Sequence, residues 1–162
     1  MGKKEIAMKI LEMLEHNKLI EKAEIAGSIR RKKKDVRDID IVVIPNDWMQ
    51  LKARMQFEYP SKVIVSGDKI FRIEIDFNHD NEWIQVDFYR ATIRDFIPLL
   101  LTYTGSKIFN ISMRANAKAK GMMLSQYGLF DRKGSPISMG FKEEKEIFDA
   151  LDMKYKKPEE RE

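Results

Sequence analysis

Asp38 and Asp40 stand one residue apart in the run Asp38-Ile39-Asp40-Ile41-Val42-Val43, which Pro45 closes. Apolar and polar residues alternate there, the pattern of a half-buried strand. Alternate side chains of a strand share a face, so the two carboxylates point one way and Ile39 and Ile41 the other. Carboxylates side by side repel each other unless a cation lies between them. Magnesium takes oxygen ligands and commonly uses one or two carboxylates together with substrate phosphates. Asp87, between Val86 and Phe88, lies in a second run with the same alternation. If the two strands are neighbours, three carboxylates converge, enough for two ions roughly 3.5–4 Å apart. An isolated Asp-x-Asp pair is more often a solvated strand face, so its surroundings decide.

Those surroundings are basic and begin with a turn. Gly27-Ser28 follows a short apolar stretch, and Arg30, Arg31, Lys32, Lys33, Lys34 and Arg37 come next. A chain turning from strand into helix presents free N–H groups that suit phosphate, and glycine allows close approach. A triphosphate delivered with magnesium needs N–H groups and a cation for its far phosphates, and carboxylates for the metals. Taken alone, Lys32 to Lys34 read as a solvated loop or a general nucleic-acid patch. Ser28 and Arg31 gain weight from the aspartate pair just downstream.

Several elements must hold these residues. Residues 4–16 read as a helix with Ile6, Ile10 and Leu14 at helical spacing. Glu24 to Ala26 read as a short strand, and the Asp38 run as another. Asp47 can cap a helix running to about Phe57. Residues 62–66, 70–77 and Trp83 to Tyr89 read as strands, with a turn at His79-Asp80-Asn81. Ala91 to Leu101 reads as helical, and Thr104-Gly105-Ser106 breaks it. A helix over Lys107 to Lys120 ends at Gly121. Its core stripe is expected to be Ile108, Ile111, Ala115 and Ala119, with Lys107, Asn110 and Arg114 on the opposite face. Residues 122–138 suggest a small β unit turning at Asp131 to Gly134. A last helix over about 142–152 carries Ile147, Phe148 and Leu151, and the charged tail from Lys156 is expected to fray.

Composition narrows the possibilities. The 162 residues suffice for one sizeable domain or two small ones sharing a core. There are no cysteines, which excludes disulfides and thiolate metal sites. The two histidines, His16 and His79, offer no histidine metal site. The net charge of +4 and a pI of about 9.1 suit a polyanionic partner. No apolar run reaches membrane-spanning length, and the start lacks a secretory pattern. An intracellular protein without a membrane partner is expected.

Gly27-Ser28-Ile29-Arg30-Arg31 followed by Asp38-Ile39-Asp40-Ile41 resembles the signature of the nucleotidyltransferase superfamily. A narrower set lies further on: Tyr103-Thr104-Gly105-Ser106, Phe109-Asn110, Met113-Arg114-Ala115 and Gln126-Tyr127-Gly128-Leu129. Together with Ile147-Phe148-Asp149 and Lys154-Tyr155-Lys156-Lys157-Pro158, it resembles the thumb and C-terminus of family X DNA polymerases, the polymerase beta type. The likeness runs from about residue 20 onward.

The resemblance implies an α+β fold. A palm with a mixed sheet and helices on one face would occupy residues 1–101, and a small α/β thumb residues 102–162. It implies templated addition of dNTPs to a primer 3′-hydroxyl, on gapped or nicked DNA, by a monomer. Asp38, Asp40 and Asp87 match the ligands of two magnesium ions, for which manganese is expected to substitute. Gly27, Ser28 and Arg31 match the triphosphate cradle. Tyr103 and Gly105 match the loop against the sugar, and Asn110 the contact to the base edge. Arg114 matches a residue reaching the template, and Lys118 and Lys120 add charge for DNA. Two departures stand out. About two dozen residues precede Gly27, where relatives usually carry lyase and helix-hairpin-helix segments, so a minimal form is expected. Gln85 stands where an arginine two residues before the third aspartate is common. Two rival readings are an untemplated nucleotidyltransferase acting on RNA ends or a small molecule, and a nucleic-acid-binding module with an inactive site.

Overall fold

The computed structural model of the chain describes residues 1–162. In chain order the elements are α1 (Lys3–His16), β1 (Ile20–Ile25), the single-turn α2 (Gly27–Arg30), β2 (Ile39–Pro45), α3 (Trp48–Glu58), β3 (Ser61–Ser66), β4 (Ile70–Ile75) and β5 (Ile84–Arg90). Then follow α4 (Phe96–Thr104), α5 (Lys107–Ala119), β6 (Met123–Ser125), β7 (Gly128–Phe130) and α6 (Glu144–Ala150). The expected α+β class is what forms.

Strand alternation builds two cores. The five-stranded sheet has the order β1-β2-β5-β4-β3. Only β2 and β5 run parallel; the other pairs are antiparallel. Ile39, Ile41 and Val43 of β2, Val86 and Phe88 of β5, and Phe71, Ile73 and Ile75 of β4 turn to one face. They meet Ile6, Ala7, Ile10 and Leu14 of α1 and Trp48, Leu51 and Met55 of α3, all buried. Asp47 caps α3, its side chain accepting from the Gln50 N–H at 3.0 Å. The opposite face carries the aspartates at its open end. Further along, Val42, Ile44 and Tyr89 are buried beneath α4, α5 and α6. β2 is therefore half-buried at Asp40 and at its last residue, Pro45, and fully buried between them, where α4 packs on it.

Several expected boundaries shift. β1 begins at Ile20, earlier than Glu24. α4 starts at Phe96, which puts Pro98 in the first turn, where a missing N–H costs nothing. The β6–β7 hairpin turns at Gln126-Tyr127. A second turn forms at Asp131, whose side chain accepts from the Lys133 and Ser135 N–H groups.

Two expectations are overturned. The core stripe of α5 is Phe109, Met113 and Ala117; Ile108 is 72% exposed and Ile111 60%. Both candidate stripes have helical spacing. The Ser106 cap, accepting from the Phe109 N–H at 3.2 Å, and the packing of Phe109 against Phe148 select the other phase. Arg114 thus shares the exposed face with Ile111 and Ala115 instead of opposing them. The tail does not fray either: Pro158–Glu160 make a 3₁₀ turn, and the Arg161 side chain is 0% exposed.

Arg161 is buried because Glu144 needs it. Its guanidinium donates to both Glu144 oxygens, at 3.1 and 3.0 Å, and Arg30 donates to the same two oxygens at 2.8 Å each. Arg30 also donates to the Thr104 hydroxyl at 2.8 Å. The rings of Phe109, Phe148 and Tyr155 surround the Arg161 guanidinium within 5.9 Å. The triad ties α2 to α4, α6 and the tail. Burial favours a protonated Glu144, but hydrogen bonds from Arg30 and Arg161 outweigh it and hold the carboxyl below its ordinary value of 4.5.

Glu144→Ala would leave two guanidinium groups facing each other, one of them fully buried. Urea unfolding at neutral pH should show a loss of about 3–5 kcal/mol. A depressed carboxyl stabilises above its unfolded value, and that contribution disappears as acid carries the pH down through the folded value. Stability of the wild type should therefore fall below about pH 4.5, with a shallower fall in Glu144→Gln.

Candidate active site

Parallel pairing of β2 with β5 sets Asp40 directly opposite Asp87. Asp38 lies two residues before Asp40 on the same face. Asp87 is buried, whereas Asp38 and Asp40 are half-buried. Burial, and then the charge of Asp87, pushes the Asp38 carboxyl above its ordinary value. For Asp40, burial together with the charges of Asp87 and Asp38 outweighs the Tyr89 hydrogen bond and Arg31, and raises the carboxyl to about 6.

Neighbouring side chains donate to each of the three carboxylates. Arg72 of β4 donates to Asp87, Nε to Oδ1 at 2.8 Å and Nη2 to Oδ2 at 3.4 Å. Gln85 donates to both Asp87 oxygens at 3.3 Å and to Asp38 at 3.5 Å. The Tyr89 hydroxyl donates to Asp40 at 3.0 Å and lies 3.3 Å from Asp87, its single proton serving one at a time. With these partners in place, no three acidic side chains are gathered as a ready metal cage. The donor set nevertheless suits a hard divalent cation: three carboxylates on one face, two of them with raised proton affinity. Asp38, Asp40 and Asp87 are the residues that could hold one.

The cradle lies on the other side of β2. Gly27 opens α2 at φ +61° beside Asp40; a Cβ there would come within 2.2 Å of Asp40 Oδ2, so only glycine fits. Gly27, Ser28, Arg31, Asp35, Arg37, Asp38, Asp40 and Tyr103 line one cleft of about 310 Å³. Arg31 donates from Nη1 to the Thr104 carbonyl at 2.6 Å, and its Nε is buried without a partner. Gly105, at φ +73°, lets the backbone pass close to that guanidinium, 3.1 Å from where its own Cβ would be.

The expected residues of the second unit are dispersed. The Tyr103 ring stacks on Tyr89 with centroids 3.6 Å apart. Tyr103 lines both the cradle's cleft and a larger one of about 490 Å³, which Tyr89, Lys69, Arg90 and Tyr127 also line. Asn110 donates from Nδ2 to the Thr102 carbonyl at 2.7 Å, which fixes its amide beneath the loop. Arg114 and Lys118 are exposed on α5, outside both clefts. Lys120 reaches the Leu151 carbonyl at the end of α6.

Arg72 and Tyr89 escaped the sequence reading. Each lies on the aspartate face by strand alternation, but only strand order shows that β4 borders β5 and that Arg72 registers with Asp87.

A mixed sheet that presents paired aspartates beside a Gly-Ser turn, with a second unit closing one end, fits the nucleotidyltransferase architecture that the sequence resemblance implies. Residues 99–162 match the family described as DNA polymerase beta thumb. The chain is 32% identical over 159 residues to the DNA polymerase/3′-5′ exonuclease PolX of Bacillus subtilis, covering 97% of this chain and 27% of that protein. It is 29% identical over 150 residues to a repair DNA polymerase X of African swine fever virus, covering 89% of this chain and 84% of the viral one. Over 79 residues, 48% of the chain, it is 37% identical to human DNA-directed DNA/RNA polymerase mu, of which that stretch is 16%. By these likenesses the chain is similar to the family X DNA polymerases. It spans about a quarter of the bacterial relative's length.

The crowding of Asp40 should be measurable without substrate. An unfolded aspartate releases its proton near pH 4, whereas folded Asp40 keeps it to about pH 6. The folded state therefore binds more protons between those values, and stability falls as pH rises through that window and stays lower above it. Asp40→Asn removes the penalty. In EDTA at pH 7.5 the variant should resist urea by roughly 1–2 kcal/mol more than the wild type, and the gap should narrow towards pH 4.5. Equal stability at pH 7.5 would show the carboxylates to be comfortable as they stand.

Proposed function

We propose that this chain is a template-directed DNA polymerase that adds dNTPs to a primer 3′-hydroxyl during short-gap repair. The observation that carries the reading is the register of Asp40 opposite Asp87, with Asp38 on their face and the Gly27–Arg31 cradle beside them. The names of the bacterial and viral relatives, polymerases both and one a repair polymerase, support the reaction and its setting.

Each group then has a task. Backbone N–H groups at Gly27 and Ser28, the Ser28 hydroxyl and Arg31 bind the far phosphates, which carry most of the nucleotide's charge. The unpartnered Arg31 Nε is a donor waiting for such an acceptor. Asp38, Asp40 and Asp87 hold two magnesium ions, or manganese in their place, and the ions supply charge neutralisation at the reacting phosphate. Asp87, deepest of the three, orients the attacking hydroxyl. Tyr103 and Gly105 bound the sugar and Asn110 the base edge, while Arg114, Lys118 and Lys120 add positive charge towards the template strand. Residues 1–101 act as palm and 102–162 as thumb. One chain lines the whole cleft, in keeping with a monomer, and a DNA substrate implies an intracellular setting. No helix is long and apolar enough to cross a membrane.

Primer extension on a one-nucleotide-gapped duplex, with each dNTP supplied singly, tests the reading. Only the dNTP complementary to the gap should be incorporated; addition irrespective of template would make the enzyme an untemplated transferase. Asp87→Asn should lower the single-turnover rate by at least about a hundredfold, roughly 2.7 kcal/mol of barrier. A variant within about tenfold of wild type, roughly 1.4 kcal/mol, would remove Asp87 from the chemistry.

A further inference from the structure

The order of elements across the aspartate face is directional. Reading from the edge strand β1, the face presents the cradle of α2, then Asp38 and Asp40 on β2, Asp87 on β5, and Arg72 on β4. In-line displacement at phosphorus puts the leaving group and the attacking oxygen on opposite sides. A triphosphate whose far end lies on α2 therefore meets its attacking hydroxyl from the Asp87 side. The strand that ends in that hydroxyl must trail over β4. Its last phosphodiester, one nucleotide back, passes Arg72.

Arg72 is placed for that contact but engaged elsewhere. Its side chain is 36% exposed, whereas that of Asp87 is 5% exposed. The guanidinium therefore covers the solvent side of the carboxylate. Its only ion-pair partner is Asp87, through Nε and Nη2. A cation taken up by Asp87 competes for the same lone pairs and repels the guanidinium. Once released, the planar fork matches the oxygens of a phosphate as well as it matched the carboxylate. Gln85, the neighbour on β5, is neutral and cannot supply that charge.

We propose that Arg72 is a two-position residue: it holds Asp87 while the site lacks a cation, and holds the primer-strand phosphate next to the 3′ end once Asp87 is engaged. The inference rests on the polymerase reading and adds to it a positioning group from a different strand. It links metal uptake to primer binding, because each event frees what the other needs.

Two measurements without turnover test it. In the first, manganese alone is titrated into substrate-free protein and followed by EPR. Arg72→Ala should bind the ion about three- to tenfold more tightly than wild type, having lost the competitor, and Arg72→Lys should fall between. In the second, a fluorescein-labelled gapped duplex is titrated across salt concentrations, in calcium and in EDTA. In calcium, Arg72→Ala should bind more weakly, with a salt slope shallower by about 0.9, one phosphate contact. In EDTA the slopes of wild type and variant should coincide. Unchanged or weaker manganese binding, or an equal slope difference in EDTA, would overturn the proposal. Asp87→Asn is the companion variant: if it keeps wild-type manganese affinity, the polymerase reading of the site fails. If it loses that affinity while Arg72→Ala behaves as wild type, only the role of Arg72 fails. Should Arg72→Ala not fold by circular dichroism, Arg72→Gln carries the same comparisons.

Discussion

Three carboxylates on one face of two adjacent strands repel one another, and most of the surrounding structure answers that repulsion. The parallel register of β2 and β5 makes it unavoidable, since it sets Asp40 directly against Asp87. Each carboxylate is given a donor: Arg72 for Asp87, Tyr89 for Asp40, Gln85 for Asp87 and Asp38. These donors keep the sheet intact without satisfying the site. Asp40 still holds its proton to about pH 6, through its burial first and then through the charges of Asp87 and Asp38. A divalent cation would find an attractive potential in a cleft already shaped around Gly27. The site thus spends stability on a charge arrangement that suits a cation.

Much of this was legible from residue order, for identifiable reasons. Period-two alternation around Asp38, Asp40 and Asp87 placed all three on one side of their strands, because side-chain direction in a strand is local. The Asp47 cap and the Gly121 terminus were equally local. Non-local choices were not legible. In α5 two apolar stripes of helical spacing compete, and Ile108 and Ile111 look better than Phe109, Met113 and Ala117. What decides is the aromatic partner Phe148, thirty-nine residues further on, and the orientation set by Ser106. The charged tail misled in the same way: Arg161 reads as solvent-facing until Glu144 and three aromatic rings surround it.

The triad of Arg30, Glu144 and Arg161 gives two neighbouring arginines different work. Arg30 turns into the interior, to Glu144 and Thr104, while Arg31 turns along the cleft and meets the Thr104 carbonyl. Both therefore engage the same turn of α4, one through its side chain and one through its backbone. The cradle and the second unit meet at the end of α4, Thr104-Gly105, beside the ion pair of Arg30 with Glu144. A displacement of that loop must move the Arg31 guanidinium with it, and a phosphate held by Arg31 would in turn bias the loop.

A second connection runs through aromatic rings rather than ions. The Tyr89 hydroxyl lies on the carboxylates, and its ring stacks on Tyr103. The Tyr103 hydroxyl reaches Gln126 at 3.4 Å in the β6–β7 turn, and the next residue, Tyr127, accepts from Lys69 at 2.9 Å. Lys69 immediately precedes β4, the strand that carries Arg72. The path is closed: carboxylates, stacked tyrosines, hairpin turn, β4 and back to Asp87. The turn-side contacts, Lys69 with Tyr127 and Tyr103 with Gln126, are exposed or long and hold weakly, whereas the stack and the carboxylate bonds are at least partly buried. The hairpin is therefore the part of this ring that gives way first. Tyr89 and Arg72, both bonded to the carboxylates, thus stand at the two ends of one chain of contacts that passes through the hairpin turn.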